Sequence, residues 1–261
     1  MSTSAPVLLA LDTATDRIHA ALATGETVAA LDLVGGAQAS STLLPALAGL
    51  LQQAGLVWAD LDAIAFGSGP GAFTGLRTAC SVTQGLALAL DCPVIALDTL
   101  MAVAEDARLA NTSAWSAGDV LWVLQDARMD ELYVGAVEWT GQTWRASQSA
   151  QLWSLDEPAH RWAPGGVLTG GLRWAGNALR AYPDKLAALG PAQVPVGDAP
   201  AAPRGHALAS LARQAWHRGE TLDAALALPR YVRDKVAQTT AERQATQAGR
   251  DAALALTAAR A

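Results

Sequence analysis

The sequence predicts an α/β protein of two related lobes, each a mixed sheet flanked by helices. Two observations lead there. Residues 1–107 read as three strands followed by alternating helices and strands, the order βββαβαβα, which gives a mixed sheet with helices over its faces. A second, weaker pass through the same order begins at Val120. The 261 residues are 51% hydrophobic and 16% charged, enough for a substantial core in one large domain or two lobes.

The elements follow in order. An apolar run over 7–11 ends at Asp12. The alternation over 18–23 is a second strand, Gly25-Glu26 turns the chain, and 28–33 completes an antiparallel meander. Ser40 or Ser41 starts a helix to Gln53, with Leu43, Leu44, Leu47, Leu50 and Leu51 at helical spacing and Gly55 as its stop. A strand over 62–66 leads into a glycine-rich loop, then an apolar helix over 76–90. A strand over 93–97 and a helix over 99–107 close the first lobe, and 111–118 reads as a linker. The second pass has strands over 120–125, 132–139 and 143–147. A capping box, Ser154-Leu155-Asp156-Glu157, starts a helix, and a short strand over 167–169 leads to Gly170-Gly171. Residues 191–203, rich in proline, glycine and alanine, form a loop, and 206–218 a helix. The expected division is 1–107, 108–233 with its last helix packed back on the first lobe, and an extension over 234–261. That extension carries a second capping box, Thr239-Thr240-Ala241-Glu242, and reads equally as a surface helix or a tail.

Composition narrows the function. The net charge is −6 and the pI about 5.1. A chain that grips nucleic-acid phosphates alone shows a basic patch; here the arginines are dispersed, with a loose cluster at Arg230, Arg233 and Lys235. Any action on nucleic acid needs a partner for most of the grip. All but two of the 18 basic residues are arginine, which together with the abundant alanine suggests genome composition. Cys80 and Cys92 read as small buried hydrophobes rather than a disulfide. The short run over 7–11 is no signal peptide and no run reaches transmembrane length, so a cytoplasmic protein without membrane contact is expected.

The most informative stretch is Gly69-Pro70-Gly71-Ala72-Phe73-Thr74-Gly75-Leu76-Arg77. Glycines between a strand and a helix let backbone N–H groups approach something closely. Three glycines and a proline within seven residues mark either a ligand or partner site or a backbone crossing too tight for side chains.

These residues resemble a family. Leu8-Leu9-Ala10-Leu11-Asp12-Thr13-Ala14-Thr15 is similar to the LAIDTST opening of the TsaB proteins, also called YeaZ, and Leu43-Leu44-Pro45 matches their LLP. The glycine loop differs from their GPGSFTGLR only by Ala72. Asp126-Ala127-Arg128 with Glu131-Leu132-Tyr133 resembles DAR…EVY, and Pro229-Arg230-Tyr231-Val232-Arg233 resembles the closing P-x-Y-L-R. The resemblance implies the two-lobed fold of actin, sugar kinases and Hsp70 (ASKHA), with RNase H-like sheets. It implies a non-catalytic dimerisation subunit that pairs with the paralogue TsaD, works with the ATPase TsaE, and also forms homodimers. That complex moves threonylcarbamoyl from threonylcarbamoyl-AMP to N6 of the adenosine 3′ of the anticodon in tRNAs reading ANN codons. No intrinsic cofactor is expected, with ATP or ADP bound only in the complex.

Residue by residue, the chemistry for an enzyme is thin. His19, His160, His206 and His217 show no ligand spacing, and Ala39 stands where many relatives carry a histidine, so a glycoprotease of M22 type and a metal are not expected. Asp12, Thr13 and Thr15 resemble the phosphate turn of the superfold, with Ala14 in place of glycine. Asp12 could hold Mg²⁺ through water, but capping of its own turn is favoured. With Gly170, Gly171 and Asn177 these residues outline a vestigial nucleotide cleft, and an ATP-dependent small-molecule kinase is the rival reading. No catalytic residue is assigned. The partner interface is placed on Gly69, Pro70, Gly71, Phe73, Thr74, Gly75 and Arg77 and on Ala79 of the following helix, where small residues invite close packing. Phe73 could equally plug the core and Arg77 form a surface ion pair. Asp126, Arg128 and Tyr133 form a second-lobe motif that reads as a local ion pair or as part of the cleft. The nine tryptophans, mostly in the second lobe, form no evident platform for bases.

Overall fold

The computed structural model describes residues 5–35, 39–162, 173–186, 195–196 and 199–233. Five strands make the first sheet, in the order β3-β2-β1-β4-β5: β1 (Val7–Asp12), β2 (Arg17–Thr24), β3 (Thr27–Val34), β4 (Ala63–Gly69) and β5 (Val94–Asp98). The meander β1-β2-β3 is antiparallel, and β4 and β5 join in parallel. The strand β1 is apolar on both faces because helices cover both. Leu9, Leu11, Ile64 and Phe66 pack against α1 (Ala39–Gln53) and α2 (Phe73–Leu90). Ala10, Ala63 and Ala65 face α3 (Thr99–Ala110) and α7 (Gly205–His217), themselves lined by Ala102, Ala104, Ala209 and Ala212. The alanine attributed to genome composition thus brings helices close to the sheet. At the start of α7, a Cβ on Gly205 would stand 2.5 Å from the Ala20 carbonyl.

The second sheet runs β8-β7-β6-β9, with β6 (Val120–Arg128), β7 (Glu131–Trp139), β8 (Trp144–Ser154) and β9 (Trp174–Ala175). Its order repeats the first sheet without a fifth strand. The short helices α4 (Glu157–Trp162), α5 (Ala178–Ala181) and α6 (Pro183–Leu186) and the pair β10 (Pro195–Val196) and β11 (Ala199–Pro200) complete the described structure. One continuous cluster joins the lobes through α3, reaching Leu121, Val137, Trp139 and Trp144. At its centre the fully buried Glu105 accepts hydrogen bonds from Arg108, from Trp144 Nε1 at 2.9 Å and from Ser210 Oγ at 2.5 Å. A buried carboxylate is tolerable only when so satisfied. The tryptophans pack on one another, Trp115 and Trp139 on Trp144, and Trp153 and Trp162 on Trp122.

Several sequence expectations need correction. The helix expected from residue 76 begins at Phe73, so the open loop is shorter than its glycines suggest. The strand expected over 143–147 runs to Ser154 along the sheet edge, where exposed serines and glutamines hide the alternation. Ser154 therefore lies in a strand and caps no helix; α4 starts at Glu157. Ala79, placed on the partner side of its helix, is fully buried in its own lobe's core. Gly170, Gly171, the strand over 167–169 and the extension from residue 234 lie outside the described residues. Both cysteines are free, Cys80 buried and Cys92 half-buried.

Two glycines of α2 differ sharply in surroundings. A Cβ on Gly75 would stand 1.8 Å from the Thr13 carbonyl oxygen, whereas one on Gly85 meets nothing within 4 Å. Gly75→Ala is expected to destabilise by about 1–3 kcal/mol, as overpacking does. Gly85→Ala should stabilise by about 0.5–1 kcal/mol through helix propensity. Urea unfolding of the two variants checks both signs.

Candidate functional site

The signature loop is a backbone crossing. Gly69 ends β4 at φ +117°, and a Cβ there would sit 2.6 Å from the Arg230 carbonyl. Gly71 lies against Ala14, whose Cβ would be 2.4 Å from an added Cβ. The Thr13 hydroxyl donates to the Gly75 carbonyl at 2.6 Å, and the Ala72 N–H donates to the Ala14 carbonyl at 2.8 Å. The loop thereby clamps the turn between β1 and β2. Pro70 and Gly71 face the space between the lobes, while Thr74 is exposed and its carbonyl accepts from Thr78.

Asp12 is wholly buried beneath this turn. One carboxylate oxygen accepts from the Ala14 N–H at 2.7 Å and the other from the Thr99 hydroxyl at 2.9 Å. Both oxygens thus serve the fold, as the turn-capping reading expects. Burial pushes its pKa up to about 6, against the pull of the Ala14 and Thr99 hydrogen bonds. Thr15 bonds locally to Arg17.

Phe73 and Arg77 have a partner within the chain. The Phe73 ring lies 5.0 Å from that of Tyr231, the Arg77 guanidinium sits 3.9 Å over Phe73, and Arg77 Nε donates to the Tyr231 hydroxyl at 3.1 Å. Around Tyr231 the closing motif straps the two lobes together. Arg230 donates its N–H to the Ser68 carbonyl and pairs with Asp98, whose other oxygen caps α3. Two residues on, Arg233 donates to the carbonyls of Ala127 at 3.0 Å and Arg128 at 3.2 Å and pairs with Glu131. The hairpin it holds carries three consecutive left-handed residues, Arg128, Met129 and Asp130 (φ 63°, 58° and 57°), a strained run for side chains other than glycine. Asp126 accepts from the Arg128 N–H at 2.7 Å and pairs with its exposed guanidinium at 3.1 Å. The sequence does not expose this strap, because its partners lie about a hundred residues or more away.

Between the lobes lies a cleft of about 500 Å³. Thr15, Asp16 and Gly71 line it from the first lobe, and Gln125, Tyr133, Asn177 and Arg180 from the second. The Tyr133 hydroxyl reaches the Gly71 carbonyl at 3.3 Å across it. Asn177 Oδ1 accepts the Asp126 N–H at 2.7 Å. Asp16, Gln125 and Arg180 were not singled out from the sequence; the one available signal was a glutamine inside an apolar strand. Among the described residues no group of three His, Cys, Asp or Glu could hold a metal ion, and no helix is long and apolar enough to cross a membrane.

A family model described as TsaD, tRNA N6-adenosine threonylcarbamoyltransferase, matches residues 35–170, just over half of the chain. The structure of YeaZ from Pseudomonas aeruginosa superimposes with a TM-score of 0.72 at 35% identity, over 87% of this chain and 99% of that one. The chain belongs to the TsaB (YeaZ) family. The tRNA threonylcarbamoyladenosine biosynthesis protein TsaB of Escherichia coli K12 is 37% identical over 128 residues, 48% of this chain and 52% of that protein. The chain thus spans about half the length of the curated relatives it matches. A tRNA N6-adenosine threonylcarbamoyltransferase of Neisseria meningitidis is 49% identical over 53 residues, 20% of this chain and 15% of that protein. The two sheets of matching strand order agree with the two-lobed α/β architecture expected from the motifs.

The departure from the TsaB signature has a local consequence. Ala72 is the N-cap of α2 and has no side chain to bond the free N–H groups of the first turn. Restoring the family residue with Ala72→Ser is expected to add about 0.5–2 kcal/mol, read as a rise in melting temperature.

A second prediction concerns pH. Asp12, its pKa raised by folding, keeps a proton that the unfolded chain releases, so its contribution to stability falls between about pH 4 and pH 6. Burial lowers His19 to about 4, against the pull of Asp32, so its contribution rises with pH over about 4 to 6.5. The two largely offset. Asp12→Asn should uncover a rise of about 3 kcal/mol between about pH 4 and 6.5, and His19→Gln a fall of similar size. Chemical unfolding across that range measures both slopes.

Proposed function

We propose that the chain is a non-catalytic scaffold subunit that pairs with a TsaD-type transferase through the outer face of α1 and α2. That pairing would serve threonylcarbamoyladenosine formation on tRNA in the cytoplasm. The observation that carries this reading is a two-helix face almost without charge. Helix α1 has no charged residue and α2 only Arg77. With Leu43, Leu47, Ala79, Cys80, Thr83 and Ala87 turned inward, α1 presents Leu44, Pro45 and Ala48, and α2 presents Ser81, Gly85 and Leu88, the last 64% exposed. Small residues allow close helix approach, and a paired helix face supports a four-helix bundle.

The matched region supports this choice of partner. The TsaD family model covers residues 35–170, which include both helices, so a transferase of that family has a corresponding segment to meet this one in a pseudo-symmetric pair. A homodimer uses the same face and competes with it. TsaE, tRNA and any ATP or ADP then engage the complex, since the chain's net charge of −6 favours no phosphate backbone. Within the chain the signature loop and Asp12 hold their own fold, which supports a scaffold over a kinase.

The test is co-purification with the TsaD of the same genome, followed by light scattering. Gly85→Arg should abolish the heterodimer while circular dichroism stays as in the parent and the melting temperature does not fall, since arginine is a better helix former than glycine. Buried Ala79 is the wrong position for this test, because arginine there breaks the fold. Failure of the parent chain to bind TsaD, even with TsaE, ATP and tRNA present, would overturn the pairing. Threonylcarbamoyl transfer to tRNA by the isolated chain would overturn the scaffold role.

A further inference from the structure

We propose that the cleft between the lobes binds a small zwitterion of the amino-acid type. Arg180 takes its carboxylate, Asp16 its ammonium, and Gln125 donates from the cleft wall. The proposal does not depend on the partnership above and is tested on the isolated chain.

Three observations converge. Gln125 is only 6% exposed, lines the cleft, and its Nε2 has no hydrogen-bond partner. A buried amide donor left unpaired is costly, and an acceptor placed in the cleft beside Gln125 would relieve that cost. Next, the free charges of the site are one of each sign. Asp16 and Arg180 are exposed, line both the main cleft and the adjoining recess beside His19, and make no ion pair among the described residues. The other charged groups of these walls are paired, Arg128 with Asp126, Arg17 with Asp32 and Arg204 with Asp106, and His19 is held neutral by burial. Finally, Asp16 sits on the turn after β1 and Arg180 on α5 of the second lobe, so a small ligand that carries an ammonium and a carboxylate side by side can engage both lobes. The volume of about 500 Å³ is that of a small-molecule site.

A nucleotide fits these groups poorly. The Ala14 N–H is spent on Asp12, the Ala72 N–H on the Ala14 carbonyl, and Gly71 is packed against Ala14. Two backbone donors at this turn are thus already engaged within the fold. A triphosphate would also bring several negative charges against a single free guanidinium, with the Asp16 carboxylate opposing them. An amino acid brings one charge of each sign and matches the pair without excess.

The test is isothermal titration of the isolated chain with the standard free L-amino acids, their carboxamides and their N-acetyl derivatives, with ATP and ADP alongside. At least one amino acid should bind saturably, with Kd at or below about 1 mM. Arg180→Ala and Asp16→Ala, both at exposed positions, should each weaken it by at least about tenfold. The residual binding of the carboxamide should be insensitive to Arg180→Ala, and that of the N-acetyl form to Asp16→Ala. Gln125→Leu should abolish binding while keeping or raising the melting temperature, which separates lost binding from lost fold. No saturable heat with any amino acid would overturn the proposal, as would binding unchanged in both charge variants, or nucleotide binding in place of amino-acid binding.

Discussion

The structure of the first lobe depends on one backbone-on-backbone contact, the crossing of Gly75 over Thr13. The Thr13 carbonyl stands where a side chain at 75 would begin, and the Thr13 hydroxyl closes the contact on the Gly75 carbonyl. Everything near it inherits that spacing. Gly71 can lie on Ala14 only because the crossing is this close, and Gly67 has no Cβ because Asp12 fills the place, its Oδ2 1.8 Å from where a Cβ would be. Asp12 in turn is sealed from water and held by Ala14 and Thr99. The signature is thus a packing code in which each glycine marks a neighbour's atom.

The second constraint is the strap over residues 229–233. It ties the start of α2, through Tyr231 on Phe73 and Arg77, to the strained hairpin of the second lobe, through Arg233. Three left-handed non-glycine residues in a row persist only where their surroundings over-determine them. Here two carbonyls held by Arg233 and an N–H held by Asp126 do so. The lobes are thus joined twice: by α3 with its buried Glu105 network on one side, and by the strap on the other. The cleft lies where the walls of both lobes meet.

Much of this was legible in the sequence, and the rest failed for definable reasons. The strands of the first lobe and the helices that connect them were readable because apolar periodicity is a local signal. The family opening Leu8 to Thr15 and the loop Gly69 to Arg77 were readable as motifs, but what each glycine touches was not. Thr13 and Ala14 lie far upstream of the loop and Arg230 far downstream of it. Ala79 was misplaced because a small residue on a helix reads equally as a groove for a partner or as room for its own sheet. The side that packs is chosen by Leu43, Leu47 and Phe66, which no spacing within α2 reveals. The second lobe was blurred by β8, a polar edge strand. The cleft's free charges, Asp16 and Arg180, look like any surface pair until the fold puts them on facing walls.

The separation of the two faces follows from how charge is distributed. An acidic chain whose helix pair α1 and α2 carries a single charge, Arg77, would leave shape and apolar area, rather than long-range attraction, to select any partner at the proposed face. The cleft is the opposite case: charged side chains stand on its walls, the structural ones neutralised in pairs, and the two that remain are of opposite sign. Helix α2 is common to both. Its first turn rests on the turn that borders the cleft, through Thr13 and Gly75, and its middle carries Ser81 and Gly85 on the outer face. A rigid helix with its start fixed on the cleft's rim and its flank facing outward places the two surfaces in one mechanical frame. The glycines of the signature loop fix how tightly that frame is joined.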